Sequence, residues 1–223
     1  MADTSSGLDQ IWKSERDAVK NEVRLGGCLP VVAAATADIV ATLPTRLRSQ
    51  APVAISQLSG RGDVAFVASC PSLSYKTLWV RADDDAYAKY YLEFLDQYHN
   101  LKFSGVPKPY NVDHMFNRQR ALKYAYRYVR MALVNGPVNS SHGAGYEKST
   151  TNSRRERRDT SIALMDEIGS MKFYGFMNPS VAKPNQAEID RYARFSALEF
   201  GMSESEVKEC IAGCLKSAAF FKN

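Results

Sequence analysis

The sequence predicts an α+β fold, mostly helical, with a small antiparallel sheet and a central strand–strand–helix unit. Apolar residues recur at helical spacing near both ends, short β-rich runs alternate with turn residues in the front half, and the middle reads strand, turn, helix. With 223 residues and 45% hydrophobic content, the chain can build one good-sized core without staples.

Leu8, Ile11, Trp12, Val19 and Val23 share a helical face, Ser6 and Asp9 are spaced as a capping box, and Gly26-Gly27 supplies a stop. A helix is therefore expected over residues 7–25. Val31 to Leu43 reads as a second, more buried helix ended by Pro44, although its β-branched content leaves a strand open. Three short runs, 53–58, 64–69 and 77–80, are separated by Ser59-Gly60-Arg61-Gly62-Asp63 and Pro71-Ser72, which predicts an antiparallel meander with Arg61-Gly62-Asp63 as a hairpin turn.

From Asp83 to Asn100, Tyr87, Tyr91, Phe94, Leu95 and Tyr98 form an aromatic helical stripe, and Asp83-Asp84-Asp85 suits the positive end of its dipole. Ser104 to Pro109 reads as a hinge. Ser149 to Arg158 is a polar, basic loop or the exposed start of a helix running to Ile168. Two further helices are expected, over residues 187–200 with Gly201 as the break and from Glu204 to about Phe221. The resulting regions are 1–105, helical with the meander, 106–158, the basic centre, and 159–223, helical.

Charge is unevenly distributed. The net formal charge is +5, yet residues 106–158 alone carry 11 Lys and Arg against 3 Asp and Glu, while the flanking regions are close to neutral. Such an island is the electrostatic footprint expected for a polyanion such as nucleic acid. Four cysteines without paired spacing argue against a disulfide scaffold or a structural zinc site. Met1 to Gly7 lacks the order of a signal peptide, and the apolar run Leu29–Leu43 is too short to span a bilayer. A cytoplasmic site of synthesis and no membrane partner are expected.

The chemistry-bearing residues lie inside the basic island. Asp113-His114 closes a short apolar run, and Val138-Asn139-Ser140-Ser141-His142-Gly143-Ala144-Gly145-Tyr146-Glu147-Lys148 follows after a predicted strand and turn. Hydrolysis of a phosphodiester needs an activated water, a Lewis acid and a grip on the anionic strand. An imidazole with an ordinary pKa near neutrality can take the proton, and carboxylates are hard ligands for a divalent ion. Arg118, Arg120, Lys123, Arg127 and Arg130, interleaved with tyrosines, together with Lys148, Arg154 and Arg155, are candidate phosphate contacts.

Over roughly Tyr110 to Lys148 these residues resemble the HNH, or ββα-metal, nuclease family, and the wider pattern resembles nuclease domains of bacterial polymorphic toxins and secretion-system effectors. The resemblance implies a ββα-metal-like unit in which Asp113 binds a divalent ion, His114 is general base and Asn139 orients it. His142 and Glu147 are both candidates for the second ligand, since His142 falls early for the family's helix position. A metal-dependent endonuclease of DNA or RNA is implied, with Mg²⁺, Mn²⁺, Ni²⁺ or Zn²⁺ not distinguished. An effector would be delivered to other cells and meet an acidic immunity protein as partner. The alternative from charge alone is a viral coat-like protein that packages nucleic acid without catalysis.

Overall fold

The computed structural model describes residues 4–42, 53–58, 60–70, 75–151 and 161–220. Helix α1 (Thr4–Gly26) buries the predicted stripe of Leu8, Ile11, Val19 and Val23. It ends at Gly27, whose φ of 65° is the left-handed conformation glycine adopts freely and whose N–H bonds Val23 O at 2.8 Å.

The expected second helix over 31–43 divides into strand β1 (Val31–Ala34) and the single-turn helix α2 (Ala37–Ala41), capped by Thr36. All four residues of β1 are buried, so the run carries no amphipathic period by which a helix and a core strand could be told apart. The meander forms as predicted: β2 (Ala54–Gln57), β3 (Ala65–Cys70) and β4 (Tyr75–Arg81) pair antiparallel, with Phe66 opposite Trp79.

The aromatic helix is α3 (Tyr87–His99). Its three preceding aspartates diverge: Asp84 accepts from Ala86 N at 2.7 Å, Asp83 pairs with Arg81, and Asp85 with Arg118. Strand β5 (Tyr110–His114) leads through helix α4 (Arg118–Lys123) to strand β6 (Tyr128–Asn135), and helix α5 (Gly136–His142) follows without a break. A π-helical segment, Gly143–Glu147, continues it into α6 (Lys148–Thr151). Strand β7 (Ile162–Leu164) and helices α7 (Glu167–Phe173), α8 (Gln186–Phe200) and α9 (Glu204–Phe220) complete the described chain. Of the helix expected to run to Ile168, residues 152–160 lie outside the described residues, and 162–164 are strand instead.

The architecture is mixed α and β, mostly helical, with one smaller antiparallel sheet. Regions 1–105, 106–158 and 159–223 all contribute strands to the order β2-β3-β4-β6-β1-β7. Strand β6 is the hub: Tyr128 and Val129 pair with both β4 and β1, and its later residues pair with β5, Val112 opposite Leu133 and His114 opposite Met131.

Side chains of α1 bond the backbone of β6 at Leu133. Glu15 Oε2 accepts from Leu133 N at 2.9 Å and Arg16 donates to Leu133 O at 3.0 Å. Two apolar layers flank the hub. Val112, Met131 and Leu133 pack with Tyr91 and Phe94 of α3, while Ala132 packs on the other face with Val19, Met165 and Phe173. A third core, built on Ile168, Met171, Tyr192, Ile211 and Leu215, holds the C-terminal helices together.

Candidate functional site

Consecutive side chains of a strand leave opposite faces, and Asp113 and His114 obey this. His114 shares the Val112 face. It is 8% exposed, and its ring lies 4.5 Å from that of Tyr87 on α3. Burial pulls its pKa down to about 4, with Asp113 opposing and Arg118 and Lys172 reinforcing the shift. Its Nε2 has no hydrogen-bond partner among the described residues. The imidazole is thus neutral and enclosed, turned away from the face that Asp113 presents.

On that other face Asp113 meets Lys172 of α7 and, through it, Glu147. Lys172 Nζ bonds Asp113 Oδ2, and Glu147 Oε1 at 2.5 Å. The lysine side chain is 6% exposed, the two carboxylate side chains 21% and 23%. Burial alone would lower the lysine pKa, but Asp113 and Glu147 together outweigh it and hold the ammonium charged. Burial raises the Glu147 carboxyl; Lys172 opposes that, and the neighbouring Asp113 adds to it.

The helix beyond β6 is shaped to deliver Glu147. Asn135 Oδ1 accepts from Val138 N at 3.3 Å and Pro137 occupies the first turn, so the helix starts directly from the strand. Bonding of the i→i+5 type in the π-helical segment widens the turn. Within it Tyr146 is buried and donates to Asp166 Oδ2 at 2.8 Å. Asn178 lies over this turn, donating to Ser141 O at 3.1 Å, and a Cβ at Gly145 would fall 1.6 Å from Asn178 Nδ2. A larger residue there would require Asn178 to move.

His142 is 1% exposed, and its Nε2 lies 2.9 Å from Phe176 O. Burial brings its pKa to about 4 against that bond. It packs the helix, and its Nε2 is engaged by the backbone. Asn139 is half-buried on α5, one turn before it.

Of the predicted metal ligands, Asp113 and Glu147 are the two that converge, and they do so on Lys172. Among the described residues no group of three or more His, Cys, Asp and Glu side chains could hold a metal. Carboxylates are the donors that a hard ion of the Mg²⁺ or Mn²⁺ type takes, but Lys172 occupies the position between these two. They do not fit an imidazole-rich Zn²⁺ or Ni²⁺ site.

The cations of the basic island are dispersed. Arg130 is buried and pairs with Glu22 at 2.7 Å, which takes it off the surface where a phosphate contact would need it. Arg118 is held by Asp85, Arg127 by Asp63, and Lys123 donates to Thr151 O. Lys148 is exposed on α6. Arg154 and Arg155 lie outside the described residues. Arg120 lines the same crevice as Glu147. Its guanidinium sits 4.8 Å over the Phe116 ring and 3.9 Å from Asp166, and its Nε is without a partner among the described residues. Arg120, Asn117, Glu147 and Asp166 line a crevice of about 20 Å³, room for about one water.

Comparison with known proteins finds no matching family model, no matching curated protein and no matching solved structure. The residue that sequence reading missed is Lys172. Its signal was a lysine inside Ile168-Gly169-Ser170-Met171-Lys172-Phe173, a run whose other members are apolar or small. A cation placed among core residues needs a counter-charge, and Asp113 and Glu147 supply it.

Proposed function

We propose that the chain is a metal-dependent endonuclease that hydrolyses phosphodiester bonds of DNA or RNA at the centre formed by Asp113, Glu147, Lys172 and Arg120. One observation carries this reading: two carboxylates 34 positions apart, one closing β5 and one on the helix after β6, meet at a single cation position. The two strands are antiparallel neighbours and a helix follows the second, with the short helix α4 between them where a basic linker was expected.

A hard divalent ion, if held by Asp113 and Glu147, would supply the Lewis acid for phosphoryl transfer. The remaining work falls to the chain. Arg120, stacked on Phe116 with its side chain 20% exposed, is the cation that would grip a phosphoryl oxygen. Asp166, fixed by Tyr146 and by Gly169 N, keeps the guanidinium turned toward the crevice. Lys148 and Lys123 extend the positive edge along which a strand would lie, and an acidic inhibitor protein would compete for the same edge. His114 contributes packing and no proton transfer. Packaging without catalysis fits less well, since Arg118, Arg127 and Arg130 are each paired with a carboxylate of the chain itself.

Plasmid DNA and single-stranded RNA incubated with the protein and Mg²⁺ or Mn²⁺ test this. Cleavage is expected, and EDTA, Asp113→Asn or Glu147→Gln should each reduce it to background. His114→Gln should retain it. Intact substrate with the wild-type protein and either ion would sink the proposal.

A further inference from the structure

We infer that the crevice between α4, the π-helical turn and α7 binds one ordered water, which joins Arg120 Nε to the carboxylates of that crevice. Three observations meet there. The Arg120 Nε is shut off from solvent and bonds no described residue, so its N–H needs an acceptor that the surrounding side chains do not supply. Arg120 Nη1 stands 3.9 Å from Asp166 Oδ2, beyond direct hydrogen-bond reach and at a separation where a bridging water is to be looked for. The crevice that both residues line measures about 20 Å³. That exceeds the roughly 10–15 Å³ one water needs and leaves no room for a phosphate or a hydrated ion.

Charge selects the occupant. A cation would meet the Arg120 guanidinium, and an anion would meet Asp166 and Glu147, which line the same space. Water serves both sides, accepting from Nε–H and donating to a carboxylate oxygen. Its place in the fold gives it a role. Asn117, at the start of α4, accepts from Thr151 Oγ1 at 3.2 Å and ties α4 to α6, while Tyr146 of the π-helical turn donates to Asp166 Oδ2 at 2.8 Å and ties that turn to α7. The water adds a hydrogen-bonded link from α4 to this pair, and so fixes the Arg120 side chain between the Phe116 ring and Asp166. The inference needs neither metal nor substrate and stands apart from the nuclease reading.

Nuclear magnetic resonance on the full, isotopically labelled wild-type chain decides the matter. The Arg120 Nε–Hε signal is assigned by through-bond correlations along the side chain, and its cross-relaxation with water is recorded in the laboratory and rotating frames. A cross-peak with the signs of a bound water is expected, distinct from the sign that proton exchange gives. The same Hε should exchange with solvent at least about tenfold more slowly than that of Arg191, since exchange from an enclosed site requires the crevice to open. Arg191 is the internal reference because its side chain is 57% exposed. An Hε without a water contact, a cross-peak of the exchange sign alone, or an Hε lost or exchanging as fast as that of Arg191 would overturn the inference. The result does not depend on whether the protein cuts nucleic acid, so either reading can fail while the other stands.

Discussion

Two buried charge clusters touch the hub strand, and they are built on different terms. The first joins α1 to β6: Glu15 accepts from Leu133 N and from Tyr91 Oη at 2.5 Å, Arg16 donates to Leu133 O and Phe173 O, and Glu22 receives Arg130. It holds two acids and two bases, and every one of these side chains is 8% exposed or less. The second, Asp113, Glu147 and Lys172, holds two acids and one base, with its acids partly in water. Balanced and sealed charge with backbone partners ties α1 to β6. The second cluster leaves one carboxylate without a base of its own and keeps its acids partly in water, which sets it apart from the first.

The largest effect expected from this contrast is on stability. Arg130→Met would strand Glu22 in the interior, at a cost of about 3–5 kcal/mol. Asp113→Asn leaves Lys172 paired with Glu147 and the new amide reachable by water, so it should cost less than about 1.5 kcal/mol. Urea unfolding of the two variants side by side measures the difference. Equal losses would mean that the second cluster is as structural as the first, and the distinction between them would fall.

What the sequence made legible follows the same division. The meander, α1, α3, α8 and α9 were readable because their apolar residues repeat with one period and their ends carry glycine or capping residues, as Gly27 and Gly201 do. Val31-Val32 was not, since a strand buried on both faces has no polar side to reveal its period. At the site, Asp113 and Glu147 were visible as carboxylates within a basic island. The neighbour relation of Asp113 and His114 misled, because adjacency along a strand separates side chains in space. Lys172 escaped because α7 follows residues 152–160, where sequence reading carried a different helix through to Ile168. Its pairing with Asp113 spans 59 positions, a contact no local pattern encodes.

The π-helical turn offers a sharper, smaller probe of the second cluster. Gly145→Ala would drive a methyl into the Asn178 side chain, a clash worth about 1–3 kcal/mol. The chain can relieve it by moving Asn178 or by rewinding the turn, and rewinding would rotate Glu147 away from Lys172. Gly145→Ala should therefore lose both stability and cleavage. Gly145→Ala/Asn178→Ala should regain most of the first, and the second as well if the turn keeps its register. Thermal unfolding and the plasmid assay on the same samples separate the two. Cleavage unaffected in a destabilised Gly145→Ala would show that the π-helical register does not position Glu147.

The smallest effect tests the exposed cations that neither cluster uses. Asp85 is 85% exposed and holds Arg118 in a surface pair, an arrangement worth about 0–1 kcal/mol. Asp85→Asn should leave stability within about 0.5 kcal/mol of wild type. It would also free Arg118 to meet a phosphate, and so should tighten binding of single-stranded nucleic acid at low salt. The gain should fade as salt rises, because contacts of this kind draw their strength from counterion release. Fluorescence anisotropy at two salt concentrations reads both. If affinity does not change at low salt, the face bearing Arg118 lies outside the path of the bound strand, and the contacts narrow to Arg120, Lys123 and Lys148 on the side where Glu147 stands.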